Sequence, residues 1–331
     1  MTGQTIRAAQ VAALSDDFSY VQIVDLPLDA PTPDEVRVTM KAVAINYPDV
    51  LMVKGGYQFK PPLPYIVGME GSGVVNAVGA NVTDWHVGDE VIVGGRAGLM
   101  AEQLCVPAAG LRKKPTGLNF QEAAGYTTVA LTAYVALVPR GHLEAGETLL
   151  VHGAAGGVGI AAVELGKHLG ATVIATASSE EKRALCLEKG ADHVLSPTGG
   201  FREQVKDLTG GRGADVIYDP VGGDVFDESV RCINWGGRLL VIGFAGGRIP
   251  TVSANMPLIK GFSVVGVRAG EYGRRNPDKG AKAMAAIMQL ADDGVIKPPV
   301  GASFPLEQAV DALRNLDTRQ ALGKTVVTLN G

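Results

Sequence analysis

The stretch LLVHGAAGGVGIAAVELGKHLGATVIATASSEEK, Leu149–Lys182, decides the fold. An apolar run enters a glycine cluster, continues through helix-forming residues, and returns as a second apolar run at 172–177. Strand, tight turn, helix and strand in so short a space make one βαβ unit. The glycines fall at 153, 156 and 159, a G-x-G-x-x-G spacing in which Ala154 takes the first glycine's place. One glycine permits the sharp strand-to-helix turn. The second lets backbone amides approach a pyrophosphate, and the third allows the helix to lie close to the strand. The helix N-terminus then favours negative charge. A dinucleotide is therefore expected along Gly153, Ala155, Gly156, Gly157, Val158 and Gly159.

The end of the second strand chooses between cofactors. Where an acid would bind the ribose hydroxyls, the chain offers Ala177, Ser178 and Ser179. Small hydroxyls leave room for a 2′-phosphate and can donate to it. Lys182, one helical turn on, adds positive charge. NADPH is the expected cofactor.

Working outward, 148–153, 172–177, 192–195, 214–220, 238–244 and 262–267 read as six near-continuous apolar strands separated by helical stretches. That pattern predicts an α/β fold with a six-stranded parallel sheet, doubly wound and covered on both faces. Residues 5–120 differ, with short, partly alternating β runs such as EVRVTMKAVAIN (35–46) broken by glycine and proline. The segment 120–138 reads as one helix closed by Pro139 and Gly141. After residue 270 come two amphipathic helices and a last strand, GKTVVTL, with no sheet of their own. This tail is expected to pack onto the N-terminal part.

With 331 residues the chain exceeds what one hydrophobic core usually serves. Its 46% hydrophobic and 19% charged residues exclude a disordered chain. A net charge of −4 without a long basic run argues against nucleic acid as a partner. The N-terminal residues show no leader pattern, and no apolar run reaches the roughly 18 residues of a membrane span. Three separated cysteines, Cys105, Cys186 and Cys232, suit a reducing compartment, so a cytoplasmic protein is expected.

In order along the chain, INYPD (45–49), GMEGSGVV (68–75), VGDEV (87–91), GAAGGVG (153–159), ADVIYDPVGG (214–223) and GRLLVIGFAGG (237–247) resemble the medium-chain dehydrogenase/reductase superfamily, in its zinc-free quinone oxidoreductase branch. The resemblance implies a GroES-like β-rich catalytic domain, residues 1–124 and 268–331, around a Rossmann NADPH-binding domain, residues 125–267. It also implies a homodimer, with 261–267 pairing across subunits.

Zinc enzymes of the superfamily carry cysteine where this chain has Asn46 and histidine where it has Met69. An amide and a thioether suit zinc poorly, and no metal is expected. Without a Lewis acid, hydride is best passed to an acceptor that spreads the charge itself, a quinone or an α,β-unsaturated carbonyl.

The resemblance gives Asn46 as donor to the substrate oxygen, Asp49 as holder of that loop, and Tyr57 as proton donor or pocket wall. Tyr47 shapes the pocket and Glu70 is structural. For the cofactor it gives Thr132 in preference to Thr127, with Gly243, Phe244 and Val267 at the nicotinamide. Arg319 reaches the phosphates, with Lys324 a weaker candidate. Competing readings are a zinc-independent alcohol or aldehyde dehydrogenase, an enoyl-thioester reductase, and a cofactor-binding protein without turnover.

Overall fold

Glu35–Ile45, the alternating run, forms an eleven-residue strand in a seven-stranded sheet. Val36, Val38 and Met40 are buried in alternation, and from Ala42 to Ile45 both faces are covered. The strand thus leaves half-exposed sheet for the interior as it nears its end.

In the computed structural model, which describes residues 5–329, the chain divides into two units, 1–127 with 298–331, and 128–297. The strands are β1 (Thr5–Val11), β2 (Val21–Pro27), β3 (Glu35–Ile45), β4 (Tyr65–Ile66), β5 (Glu70–Val78), β6 (Glu90–Gly94), β7 (Gln103–Pro107) and β8 (Arg112–Lys113). They continue as β9 (Thr148–Val151), β10 (Thr172–Thr176), β11 (His193–Leu195), β12 (Ala214–Asp219), β13 (Ile233–Val241), β14 (Ser263–Gly266), β15 (Val300–Pro305) and β16 (Lys324–Thr328). The helices are α1 (Tyr47–Val53), α2 (Phe120–Ala124), α3 (Tyr126–Val135), α4 (Gly157–His168), α5 (Glu180–Glu188) and α6 (Phe201–Leu208). After them come α7 (Gly223–Cys232), α8 (Asn255–Lys260), α9 (Ala269–Arg275), α10 (Pro277–Asp292) and α11 (Ala309–Asp317). No helix among the described residues is long and apolar enough to cross a membrane.

The first unit is GroES-like and β-rich. A small sheet runs β2-β1-β4, and a larger one runs β15-β16-β3-β5-β6-β8 with β7 also on β3. The C-terminal strands do join this unit: β16 lies antiparallel to β3, placing Thr325 opposite Ile45.

The second unit holds the predicted six-stranded parallel sheet, ordered β11-β10-β9-β12-β13-β14. This is the doubly wound order of a Rossmann fold. Its central strand β9 is buried at every residue, as its unbroken apolar sequence requires.

Three boundaries differ from the sequence reading. Residues 268–297 group with the nucleotide-binding unit, not with the tail. The Glu164 carboxylate of α4 accepts from the Lys297 amide and the Lys189 ammonium, which also donates to the Lys297 carbonyl, tying this segment's end to the sheet's helices. The helix read over 120–138 is two, parted at Gly125. The fifth strand starts at Ile233, earlier than read, because Gly236 and Gly237 disguise a strand as a turn.

Candidate active site

The order β16-β3-β5 brings three strand ends side by side. β3 stops at Ile45, β5 begins at Glu70 opposite Ala44, and β16 begins at Lys324. Asn46, Glu70 and Lys324 are therefore neighbours by register. α1 starts at once after Asn46 with Pro48 in its first turn. The corner is held by Asp49, whose Oδ2 accepts from the Asn46 backbone N–H at 2.8 Å.

Asn46 Nδ2 donates to Glu70 Oε1 at 2.9 Å. Lys324 Nζ donates to Asn46 Oδ1 at 2.8 Å and to Glu70 Oε1 at 3.1 Å. All four side chains, Asp49 included, are buried. Charges this deep persist only when paired and hydrogen-bonded, and Glu70 and Lys324 satisfy that for each other. Asp49 is different. Its Oδ1 is buried without a hydrogen-bond partner, and burial pushes its carboxyl up to about 7, with the Asn46 amide and Lys324 opposing the rise.

Asn46 is thus engaged within the fold through both its amide oxygen and its amide nitrogen. Lys324, the weaker phosphate candidate, is turned towards Asn46 and Glu70. Arg319 has left-handed backbone (φ 59°) in the turn before β16. Tyr47 opens α1, half-buried. Tyr57 follows the left-handed Gly55 and packs half-buried on the unit's core with Phe59 and Met69. Arg96 stacks on the Phe59 ring, 3.6 Å from its centroid, and the Gly95 amide binds the Met69 carbonyl at 2.8 Å. Tyr65, missed in the sequence, has a buried hydroxyl without a partner. Burial and the Asp49 charge raise its pKa.

Among the described residues no three His, Cys, Asp or Glu side chains gather as a metal site. A cavity of about 440 Å³ in this unit is lined by Asp34, Asn81, Trp85 and Leu111 among others, and by none of these candidates.

In the second unit the three glycines have separate roles. Gly153 turns the chain with φ 56°. A Cβ at Gly159 would strike the Gly153 carbonyl at 2.4 Å, so this glycine keeps α4 against the strand end. Gly156 has ordinary backbone, and a Cβ there would meet only the Gly153 oxygen at 3.4 Å. Gly156 leaves open space beside a helix start that no side chain caps, where Gly157, Val158 and Gly159 present the first amides. Ala155 is buried beneath the loop.

His152 sits just before the loop, wholly buried between Thr176 and Ser229, with Nδ1 2.9 Å from Thr176 Oγ1 and Nε2 2.8 Å from Ser229 Oγ. Ser229 spends its hydrogen on the Val225 carbonyl, so Nε2 carries the ring proton and Nδ1 accepts. Burial lowers the His152 pKa to about 3, and the ring is a neutral strut between β9, β10 and α7.

Beyond β10, Ser178 is exposed, while Ser179 caps α5 by accepting from the Lys182 amide at 3.2 Å. Lys182 is half-buried in the first turn. The sequence reading missed Arg183, whose Nη1 donates to the Ala177 carbonyl at 3.0 Å and brings a second cation to this strand end. Asp219 accepts from the Val221 and Gly222 amides, 2.8 and 2.9 Å, and burial raises its pKa. Gly243 and Phe244 lie beyond the end of β13, and Val267 bonds the Val241 carbonyl. Thr132 donates to its own helix at the Thr128 carbonyl, 2.7 Å. In the first unit Thr127 keeps a buried hydroxyl without a hydrogen-bond partner.

The chain matches the alcohol dehydrogenase GroES-like domain over residues 32–116 and the zinc-binding dehydrogenase domain over 157–288. It is 37% identical over 329 residues to quinone oxidoreductase-like protein 2 of Mus musculus, spanning 99% of this chain and 93% of that one. Among solved structures, the quinone oxidoreductase of Pseudomonas syringae superposes with a TM-score of 0.87 at 30% identity, covering 98% and 99% of the two chains. A mycobacterial protein solved with NADPH gives 0.87 at 30% identity, covering 97% and 99%.

Proposed function

The chain belongs to the quinone oxidoreductase branch of the medium-chain dehydrogenase/reductase superfamily, and from that premise we propose that it is an NADPH-dependent reductase of quinones or α,β-unsaturated carbonyl compounds that works without zinc. The observation that carries this reading is the closed Asn46–Glu70–Lys324 network. At the position where zinc enzymes place a thiolate, an amide is held by an ammonium. That donor set suits an oxyanion and repels a metal cation.

The loop fits a dinucleotide: the open side of Gly156 and the uncapped start of α4 form a cradle that a Cβ would fill. The bound cofactor supplies hydride. The chain's own residues do the rest. Gly157, Val158 and Gly159 hold the pyrophosphate through their amides, and Gly156 leaves the space for it. Ser178, Lys182 and Arg183 receive the 2′-phosphate, and their chemistry supports NADPH over NADH. Asn46 donates to the acceptor oxygen as it gains charge, and Tyr57 covers the acceptor or supplies its proton. The NADPH-bound mycobacterial relative is consistent with this cofactor.

A homodimer is part of the proposal. β14 is an edge strand with Val264 exposed, and Trp235, Leu258 and Ile259 are exposed in the same unit, an apolar surface of the kind a partner covers.

The test is turnover of purified protein with NADPH or NADH against a panel of quinones, enals, enones, enoyl thioesters and simple alcohols, with and without chelator. The proposal requires chelator-resistant reduction of a quinone, enal or enone with NADPH preferred. No turnover, a preference for NADH, or loss of activity with metal removal overturns it.

A further inference from the structure

We propose that Lys324 is a positioning residue: a buried ammonium that fixes the Asn46 amide and sharpens its free N–H as an oxyanion donor. This rests on the reductase reading above and deepens it.

The amide's orientation follows from what its neighbours can do. An ammonium only donates, so the group facing Lys324 is Oδ1, at 2.8 Å. An ionised carboxylate only accepts, so the group facing Glu70 is Nδ2, at 2.9 Å. One Nδ2 hydrogen is consumed there, and the other is left for an acceptor. Without Lys324 nothing holds Oδ1, and Glu70 alone is left to keep the carboxamide from turning over to present an oxygen, which repels developing negative charge.

The Lys324 contact also polarises the amide. A cation on its oxygen favours the charge-separated resonance form, which leaves nitrogen more positive and offsets the electron density that Glu70 pushes back through the other N–H. With Lys324 4% and Glu70 2% exposed, solvent does little to screen this. The gain appears only as the acceptor oxygen takes up charge, so it belongs in kcat and not in cofactor binding.

The Lys324 stem passes over Gly125. A Cβ at Gly125 would stand 2.8 Å from Lys324 Cε, and the backbone there (φ −95°) accepts any residue. Gly125→Ala therefore displaces the ammonium without deleting it.

The experiment compares wild type with Lys324→Met and Gly125→Ala. NADPH turnover is measured with quinones or enones graded in electron affinity, and the apoprotein is titrated with p-nitrophenolate as an oxyanion probe. Both variants should lose about 10- to 100-fold in kcat, with KM for NADPH unchanged and the largest losses for the poorest acceptors. Phenolate affinity should fall by about tenfold. Lys324→Met leaves Glu70 buried without its cation, so if that variant does not fold, Gly125→Ala decides. Retained kcat in a folded variant, equal losses across the acceptor series, or phenolate affinity that is unchanged or absent in wild type overturns the inference. If wild type reduces no acceptor while the variants still weaken phenolate binding, the reductase reading fails and the role of Lys324 stands.

Discussion

A Cβ on Gly159 would stand 2.4 Å from the carbonyl oxygen of Gly153, a distance that no side-chain movement relieves because the obstacle is backbone. One on Gly156 would find that oxygen at 3.4 Å and otherwise open space. Two glycines three residues apart thus differ: Gly159 keeps α4 against the turn, and Gly156 leaves open space beside the helix start.

Gly159→Ala is expected to destabilise the nucleotide-binding unit by about 3 kcal/mol, the upper range for overpacking against an immobile neighbour. Gly156→Val should fold with a nearly unchanged Tm and lose NADPH binding by about 100-fold or more, since its side chain occupies the pyrophosphate's place. Thermal unfolding and calorimetric titration of both variants separate the roles. Unchanged NADPH affinity in folded Gly156→Val would remove the loop from the cofactor site.

At the end of β10, Lys182→Ala and Arg183→Ala should each weaken NADPH by about tenfold while leaving NADH within about twofold. Arg183 already donates to the Ala177 carbonyl, so its guanidinium is held near the strand end before any ligand arrives. Equal losses for both cofactors would make these residues structural.

The parts of this molecule that were readable in the sequence are those set by local pattern. The glycines at 153, 156 and 159 declare their turn within one βαβ unit, and unbroken apolar runs such as β9 declare a sheet covered on both faces. The pairing of Lys324 with Asn46 and Glu70 was not readable. Lys324 reaches Asn46 across a separation of 278 residues, and only the pairing of β16 with β3 brings it there. Arg183 was missed because helical spacing favoured Lys182, whereas the side chain that folds back to the strand is the next one. Glycine misled in both directions: Gly125 parts what composition joined, and Gly236 and Gly237 lie inside a strand.

Asp49 should make stability fall as pH rises. Its carboxyl is pushed up to about 7, above its ordinary value of 3.8. Between those values the folded protein keeps a proton that the unfolded chain has released, so each step upward in pH favours unfolding. The full effect is roughly 4 kcal/mol, complete above the folded value. Asp49→Asn preserves an acceptor for the Asn46 amide and removes the titration. Urea midpoints of the variant should therefore be flatter than wild type between about pH 4 and about pH 7. Parallel curves would show that Asp49 stays ionised.

His152 imposes the opposite slope. Its pKa is lowered from 6.5 to about 3, so as pH falls below 6.5 the unfolded chain takes up a proton that the folded protein refuses. Stability should decline through that window, and His152→Gln should remove this part of the decline. The variant will also be less stable throughout, because the Thr176 and Ser229 hydroxyls lose a well-placed partner. An unchanged acid limb in His152→Gln would mean the ring is protonated in the folded state.

The edge strand gives the last prediction. Val264 lies 40% exposed on β14, where the sheet ends without a neighbour, and Trp235 in the same unit is 74% exposed with its ring over Gly261. Exposed β-branched and aromatic residues beside an unpaired edge are what a second copy would cover by continuing the sheet. Val264→Lys puts a charge into that contact and should convert a dimer to a monomer without lowering the Tm of the monomeric unit by more than a few degrees. Light scattering on the eluting protein reads the mass directly. A wild-type monomer, or a dimer indifferent to Val264→Lys, would place the partner surface elsewhere.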